Sequence, residues 1–176
     1  MSPSNPKHLH QVAQPIFVAE AYIIYQDQLL MFKRSDQVKS FPGWWALPGG
    51  HIDATEDPLA AALREVKEET AVTISPKQIK LKAIAMHHHL DLGKVYIVFS
   101  FLARLDKQPK VVSAIQEGQA HWIEVKKART MTKIFPPLKY YFAHILGSRP
   151  GIIYNNSQWK NSQLVKVLSE TIDRDY

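Results

Sequence analysis

A chain of 176 residues with 45% apolar residues suits one domain with a sizeable core, and no apolar run of about 18 residues occurs that would span a membrane. The chain has no cysteine, so disulfides and thiolate chemistry are excluded. Its net charge of +6 favours anionic partners such as nucleotides or nucleic acid. The basic residues are scattered, however, without the aromatic and basic stripe of single-strand binders. RNA is therefore an open partner but not the favoured one.

Residues 1–15 lack the apolar stretch of a secretory signal and read as a flexible tail. With the absence of cysteine, this makes the cytoplasm the simplest expected location. Residues 16–25, IFVAEAYIIY, are apolar and β-prone and read as a strand. A short turn over 26–28 leads to a second strand, LLMFK, over 29–33, and Arg34 ends it. A polar loop over 35–40 is followed by FPGWWALPGG, residues 41–50, where aromatic bulk meets a Pro and Gly turn. Trp44 and Trp45 read mainly as packing residues.

Asp57-Pro58 is a helix start, with Asp57 able to cap free N–H groups and Pro58 suited to the first helical position. The body that follows, LAAALREVKEE, is rich in helix formers. At 100° per residue, Leu59, Ala62, Leu63 and Val66 form an inward stripe. Glu65, Glu68 and Glu69 fall on the roughly opposite side and are expected to project together. A like-charge pair at ~4 Å costs about 4 kcal/mol at an effective dielectric of ~20. The helix dipole also disfavours acids near its C-terminal end. A divalent cation relieves both penalties, and oxygen-only ligands suit Mg²⁺ or Mn²⁺. Taken alone, the three glutamates would be read as an ordinary solvated helix face.

Beyond this helix, 79–89 reads as a strand ending in His87-His88-His89. Alternation puts His87 and His89 on one face, either toward a substrate or, as the commoner case, as ordinary strand positions. Residues 91–94 form a hairpin turn and 95–104, VYIVFSFLAR, a further strand. A polar loop over 106–119 carries Glu117, 121–125 reads as a strand, and 136–146 as a helix opened by Pro136-Pro137. In 147–176, a short strand over 151–154 and an amphipathic helix over 162–172 are expected. Leu164, Val167, Leu168 and Ile172 would face inward, packing this extension on the same domain.

Gly50, Glu56, Arg64, Glu65, Val66, Glu68, Glu69 and Val72 stand at the spacings of G-x5-E-x7-R-E-U-x-E-E-x-G-U, where U is bulky and apolar. This resembles the box of the Nudix hydrolase family, in its MutT-like branch. The one departure is Ala71, where the box has a helix-ending glycine. The resemblance covers residues 16–146 and implies a single-domain α/β/α sandwich on a mixed sheet. It implies metal-dependent hydrolysis of a nucleoside diphosphate linked to another moiety, foremost a nucleoside triphosphate. RNA 5′-pyrophosphohydrolysis and nucleotide-sugar hydrolysis remain as alternatives. So does a non-catalytic nucleotide-sensing module, although such proteins usually lose box glutamates.

The same resemblance implies a site. Glu65, Glu68, Glu69, Glu117 and the Gly49 carbonyl would hold Mg²⁺ or Mn²⁺, with Glu65, Glu68 or Glu117 as general base. Arg64 would orient a helix glutamate, while Gly50 and Glu56 would shape the junction of loop and helix. Glu117 is carried over because residues 117–122, E-G-Q-A-H-W, resemble the family's E-G-Q-x-x-x-W setting, with Trp122 one position nearer. Arg34 would contact the nucleotide. Phe135-Pro136-Pro137 resembles a MutT-like segment in which a following Asn reads an oxidised purine, and Lys139 stands at that position. This lowers the expectation of 8-oxo-guanine nucleotides as substrates. Isomerase chemistry on isopentenyl diphosphate, known in the family, needs a cysteine that the chain lacks. A monomer and a homodimer are equally compatible with the sequence.

Overall fold

In the first long strand, β1 (Ile16–Tyr25), side chains alternate between two separate cores. Ala19, Ala21 and Ile23 pack on one side with Leu30, Phe32, Ala61, Ala62 and Val66. Tyr22 and Ile24 pack on the other with Leu29, Met31, Leu138, Tyr141, Phe142 and Ile145. Both faces of the strand are covered, so it reads as a nearly continuous apolar run. The computed structural model describes residues 14–111, 116–147 and 151–173; most of the expected N-terminal tail lies outside them.

Around β1 the sheet is built from β2 (Gln28–Arg34), β3 (Trp45–Ala46), β4 (Gly49–His51), β5 (Ile79–His89), β6 (Lys94–Arg104), β7 (Gly118–Glu124), β8 (Ile152–Lys160) and β9 (Gln163–Asp173). Its main order is β3-β2-β1-β6-β5-β8-β9, with β4 on β1 and β7 on β2. The pairs β1–β6 and β5–β8 are parallel and the rest antiparallel, so the sheet is mixed. Helix α1 (Pro58–Thr70) covers the first core, while α2 (Val125–Thr130) and α3 (Pro136–Ile145) cover the second. This is the expected α/β/α sandwich in one domain. None of the helices in the described residues is long and apolar enough to cross a membrane.

One edge of β1 is shared between two partners. Its last residues pair with β2, and Val18, Ala19 and Glu20 pair with β4. Gly49 and Gly50 are thereby laid against the sheet beside α1. The short strands β3 and β4 and the helix α2 were not expected from the sequence, being too brief to show a periodicity.

Helix α1 starts as its sequence dictates, with the Asp57 carboxylate accepting from the amides of Leu59 at 2.8 Å and Ala60 at 2.9 Å. It ends on Ala71, which takes the left-handed conformation at φ 59° and donates its amide to the Lys67 carbonyl. A left-handed Cβ costs about 1–2 kcal/mol. Ala71→Gly should therefore stabilise the chain by roughly 1 kcal/mol after glycine's own entropic cost. For a chain of this length that is a rise in Tm of about 2–4 °C, and an unchanged or lower melting temperature would refute it.

The C-terminal extension departs from expectation. Residues 163–173 form β9, not an amphipathic helix, and β8 is longer than the short strand foreseen. Periodicity misled because only one side of β9 is paired and its apolar residues are not all inward. Leu164, Val165 and Leu168 are exposed, while Ile172 reaches the second core. Pairing of β8 with β5 in parallel makes this hairpin part of the central sheet.

Candidate functional site

The site begins with a single guanidinium. Arg64 donates Nη2 to Glu56 Oε1 at 2.6 Å and Nε to Glu56 Oε2 at 3.2 Å. Its Nη1 reaches Glu65 at 2.8 Å and Glu68 at 3.2 Å, and its Nη2 also reaches the His51 carbonyl at 3.1 Å. One planar fork thus ties the pre-helix loop, strand β4 and two glutamates of α1 together, a task for which the rigid geometry of arginine is suited. Glu56 also accepts from the Asp53 amide at 3.1 Å. Its bonds with Arg64, first of all, hold its carboxyl below the usual range.

Glu69 is placed differently from its neighbours. Sequence periodicity expected it to project outward with Glu65 and Glu68, yet it is only 7% exposed. The covering element is β4, whose position against α1 is set by pairing with β1 and leaves no trace in helical spacing. The Glu69 carboxylate accepts from the Gly49 amide at 3.0 Å. Burial pushes its pKa up to about 8, helped by the negative charges of Glu65 and Glu117 and opposed by the Gly49 bond and Arg34. Glu65 is likewise raised, chiefly by burial, with Arg64 opposing and Glu68 and Glu117 adding to the rise. Glu68 remains the exposed member, with 60% of its side chain accessible.

Close approach of backbone requires glycine at 49, and at 50 a side chain would have to push the Glu65 carboxylate aside. A Cβ on Gly49 would lie 2.5 Å from the Ala19 carbonyl and 2.7 Å from Glu20 Cα. A Cβ on Gly50 would collide with the Glu65 carboxylate itself. Gly50 is therefore the floor of a cradle in which Glu65 rests.

Glu117 is brought to this cluster by β7. Gly118 pairs with Arg34, and the Glu117 carbonyl accepts from the Ser35 amide at 2.7 Å. The loop acid stands close enough for its charge to raise both Glu65 and Glu69. Arg34 stands on the same side, where its charge lowers Glu69, and its Nε donates to the Ser40 carbonyl at 3.0 Å. Lys139 is exposed on α3, and no ion pair joins it to the carboxylates among the described residues. Of the site residues that the family resemblance implied, Lys139 is the one not tied to the cluster among the described residues.

The histidine run is structural. His87 is buried and within 3.1 Å of the Tyr141 hydroxyl, while His88 faces the other way, 2.9 Å from Asn156 Oδ1. Trp45 packs on His121, and Trp44 on Phe41. Sequence reasoning missed Glu20, which pairs across from Gly49 and accepts from Ser100 Oγ at 2.7 Å. Burial pushes its carboxyl up to about 7. The available signal was an acid in the middle of the apolar run IFVAEAYII.

As they stand, no three acidic or histidine side chains among the described residues converge on a common point at metal-ligand distance. Glu65 is turned to Arg64 and Glu69 to the Gly49 amide. The donor set nevertheless fits a hard divalent cation. It is all oxygen, it includes partly desolvated carboxylates that raise one another's proton affinity, and Glu65 rests in the space that a side chain at Gly50 would take.

Comparison with known proteins bears on family and fold. The family described as NUDIX domain matches residues 17–144. An m7GpppN-mRNA hydrolase of Danio rerio is 44% identical over 52 residues, which is 30% of this chain and 17% of that protein. Nudix hydrolase 8 of Arabidopsis thaliana is 28% identical over 123 residues, 70% of this chain and 31% of that protein. The chain thus matches less than a third of the length of these two curated relatives. Among solved structures, the MutT protein of Bacillus halodurans aligns with a TM-score of 0.71 at 24% identity, over 92% of this chain and 99% of that one. At that identity the likeness speaks for the fold.

Proposed function

The chain belongs to the Nudix family, and from that premise we propose that it hydrolyses the diphosphate linkage of a nucleoside diphosphate joined to another moiety, with nucleoside triphosphates as the first substrate class. The observation that carries this reading is the Arg64 network. It holds Glu65 and Glu68 beside the Gly50 cradle, with Glu69 and Glu117 at its border.

Glu65, Glu68, Glu69, Glu117 and the Gly49 carbonyl would hold Mg²⁺ or Mn²⁺. Bound there, the cation would neutralise diphosphate oxygens and lower the pKa of water. The chain's own groups then divide the remaining work. Glu69, anchored by the Gly49 amide, fixes the height of α1 against the loop. Arg64 holds Glu65 and Glu68 in place, and Glu56 in turn holds Arg64. Arg34 offers a fixed fork to phosphate oxygens beside the carboxylates. The proton of the attacking water goes to one carboxylate, with Glu65, Glu68 and Glu117 the candidates.

A panel of nucleotides and nucleotide conjugates with Mg²⁺ or Mn²⁺, with products identified by mass, tests the proposal. Metal-dependent release of pyrophosphate or a mononucleotide supports it, and no turnover of any diphosphate-linked compound overturns it. With Lys139 in place of an Asn, dGTP should be turned over at least as well as 8-oxo-dGTP. A strong preference for the oxidised nucleotide in kcat/KM would refute that part.

Glu117→Gln separates two roles. If Glu117 is a ligand, the Mg²⁺ concentration for half-maximal rate rises. If it is the base, kcat falls by about 10²-fold or more at saturating Mg²⁺ and the acid limb of the pH–rate profile changes. Unaltered metal dependence and kcat would reduce Glu117 to a surface acid.

A further inference from the structure

Glu20 is an acid that neither packing nor the proposed metal site calls for. It interrupts the apolar run of β1, and alternation puts its side chain on the face away from α1, with Tyr22 and Ile24. One carboxyl oxygen accepts from Ser100 Oγ at 2.7 Å, and Ser100 is itself buried, with 1% exposed. Among the described residues no cation pairs with Glu20. A largely desolvated carboxylate with one hydroxyl for a partner costs stability, and an apolar side chain would complete this strand position without that cost.

Two features aim this acid at a ligand. The first is its nearness to the loop of the carboxylate site. Glu20 pairs with Gly49, and a Cβ on Gly49 would stand 2.8 Å from the Glu20 Cβ. Residue 49 being glycine, that flank of Glu20 carries no side chain, and Glu20 is only partly covered. The second is an orphan. The Tyr22 hydroxyl, two residues along the same face, is fully buried and has no hydrogen-bond partner among the described residues. The charge of Glu20 acts on it and on the Tyr141 hydroxyl, which lies 3.1 Å from the His87 ring. One face of β1 thus holds an acceptor and an unsatisfied hydroxyl beside the loop.

A group that binds there must donate hydrogen bonds. The carboxylate repels phosphate, and an apolar group would leave it unsatisfied. Neighbouring strands lie about 4.8 Å apart, so Glu20 reaches the part of a substrate next to a diphosphate held at Gly49. In a nucleoside 5′-diphosphate that part is the ribose, whose hydroxyls are the donors nearest the phosphates, while the base lies farther out. A ribose hydroxyl also accepts, which suits the orphan of Tyr22. We propose that Glu20, held by Ser100, is a specificity-determining residue that accepts from the ribose diol, so that the chain prefers ribonucleotides to deoxyribonucleotides. Carboxylates fix ribose in dinucleotide sites by the same chemistry. The inference rests on the proposed hydrolysis of a diphosphate linkage for the placement of the substrate.

Binding is measured by isothermal titration calorimetry with Mg²⁺ and the α,β-methylene diphosphates of adenosine, guanosine, cytidine and uridine, each beside its 2′-deoxy and 3′-deoxy counterpart. These ligands need no turnover. A hydrogen bond to a charged acceptor should make at least one ribonucleotide bind about 10-fold or more tighter than a deoxy counterpart, and the arm that loses names the hydroxyl. Glu20→Leu fills the space without an acceptor and should bring that ratio to within about 2-fold of unity. Glu20→Gln can keep the bond with Ser100 but lacks the charge, and should lower the ratio by about 3-fold or more. Melting temperatures check that both fold, and the Gln variant carries the test if the Leu variant does not. A structural role for Glu20 would weaken ribose and deoxyribose ligands alike and leave the ratio unmoved.

Ratios near unity in the parent, whether from lack of binding or lack of discrimination, overturn the proposal. So does a ratio that survives both substitutions, or a preference among bases, and not among sugars, that follows Glu20. A Glu20-dependent ratio without turnover of any diphosphate-linked compound would sink the hydrolase reading and leave Glu20 as a reader of the sugar. Metal-dependent turnover with binding ratios near unity would do the reverse.

Discussion

Glu69→Gln is expected to lower kcat by at least about 10²-fold without loosening the fold. The amide is nearly isosteric, and its oxygen can still accept from the Gly49 amide, so the position of α1 against β4 is retained. What is lost is the charge offered to a divalent cation. The sign of the stability effect follows from the raised pKa. An unfolded glutamate ionises near 4.5, whereas folded Glu69 holds its proton up to about 8. Between those values the folded chain binds more protons, so this residue's contribution to stability falls as pH rises through that window. A neutral Gln removes that loss. In metal-free buffer at pH 8 the variant should melt no lower than the parent, while added Mg²⁺ should raise the parent's Tm more than the variant's. Glu68→Gln, at the exposed member of the cluster, should match it in kcat. Near-normal turnover in both variants would end the assignment of these carboxylates to the site.

The difference between Glu68 and Glu69 also marks how far sequence could carry the structure. The cap at Asp57, the span of α1 and the strands β1, β5 and β6 follow from local chemistry and periodicity, and were legible, whereas the helical layers on both faces of the sheet were expected only through the family resemblance. Burial of Glu69 was not, because its bond to Gly49, 20 positions away, depends on β4 being folded against α1 by its pairing with β1. Glu117 was placed near the cluster only through its resemblance to a family motif. Its route there, the register of β7 on β2, is set by pairing rather than by its own neighbours. The end of the chain failed for a related reason. Residues 163–173 carry apolar side chains at spacings that a helix or an edge strand can both use. Parallel pairing of β8 with β5 decided the matter.

Arg64 should prove as costly to replace as the carboxylates, although it offers no oxygen to a cation. Its three nitrogens reach three glutamates and one carbonyl at once. A lysine keeps the charge but has a single nitrogen, which cannot bridge Glu56 and Glu65 in the same way. Arg64→Lys is therefore expected to lower kcat/KM by about 10²-fold and to raise the Mg²⁺ concentration for half-maximal rate. Misplacement of catalytic groups by about 1 Å has effects of that size. Gly50→Ala acts on the same carboxylate from the opposite side, since the added methyl would occupy the place of Glu65. Both changes reach the reaction through the position of Glu65. The double variant should therefore lose much less than the product of the two single losses, as coupled sites do. Thermal melts show whether either variant has simply unfolded, and the rise in metal requirement is a readout that a general loss of fold would not give. If Arg64→Lys keeps the parent's kcat/KM and metal dependence, the guanidinium only braces the loop at Glu56. If the two losses multiply in full, Gly50 and Arg64 act on different groups, and Glu65 is not the point where loop and helix meet the reaction.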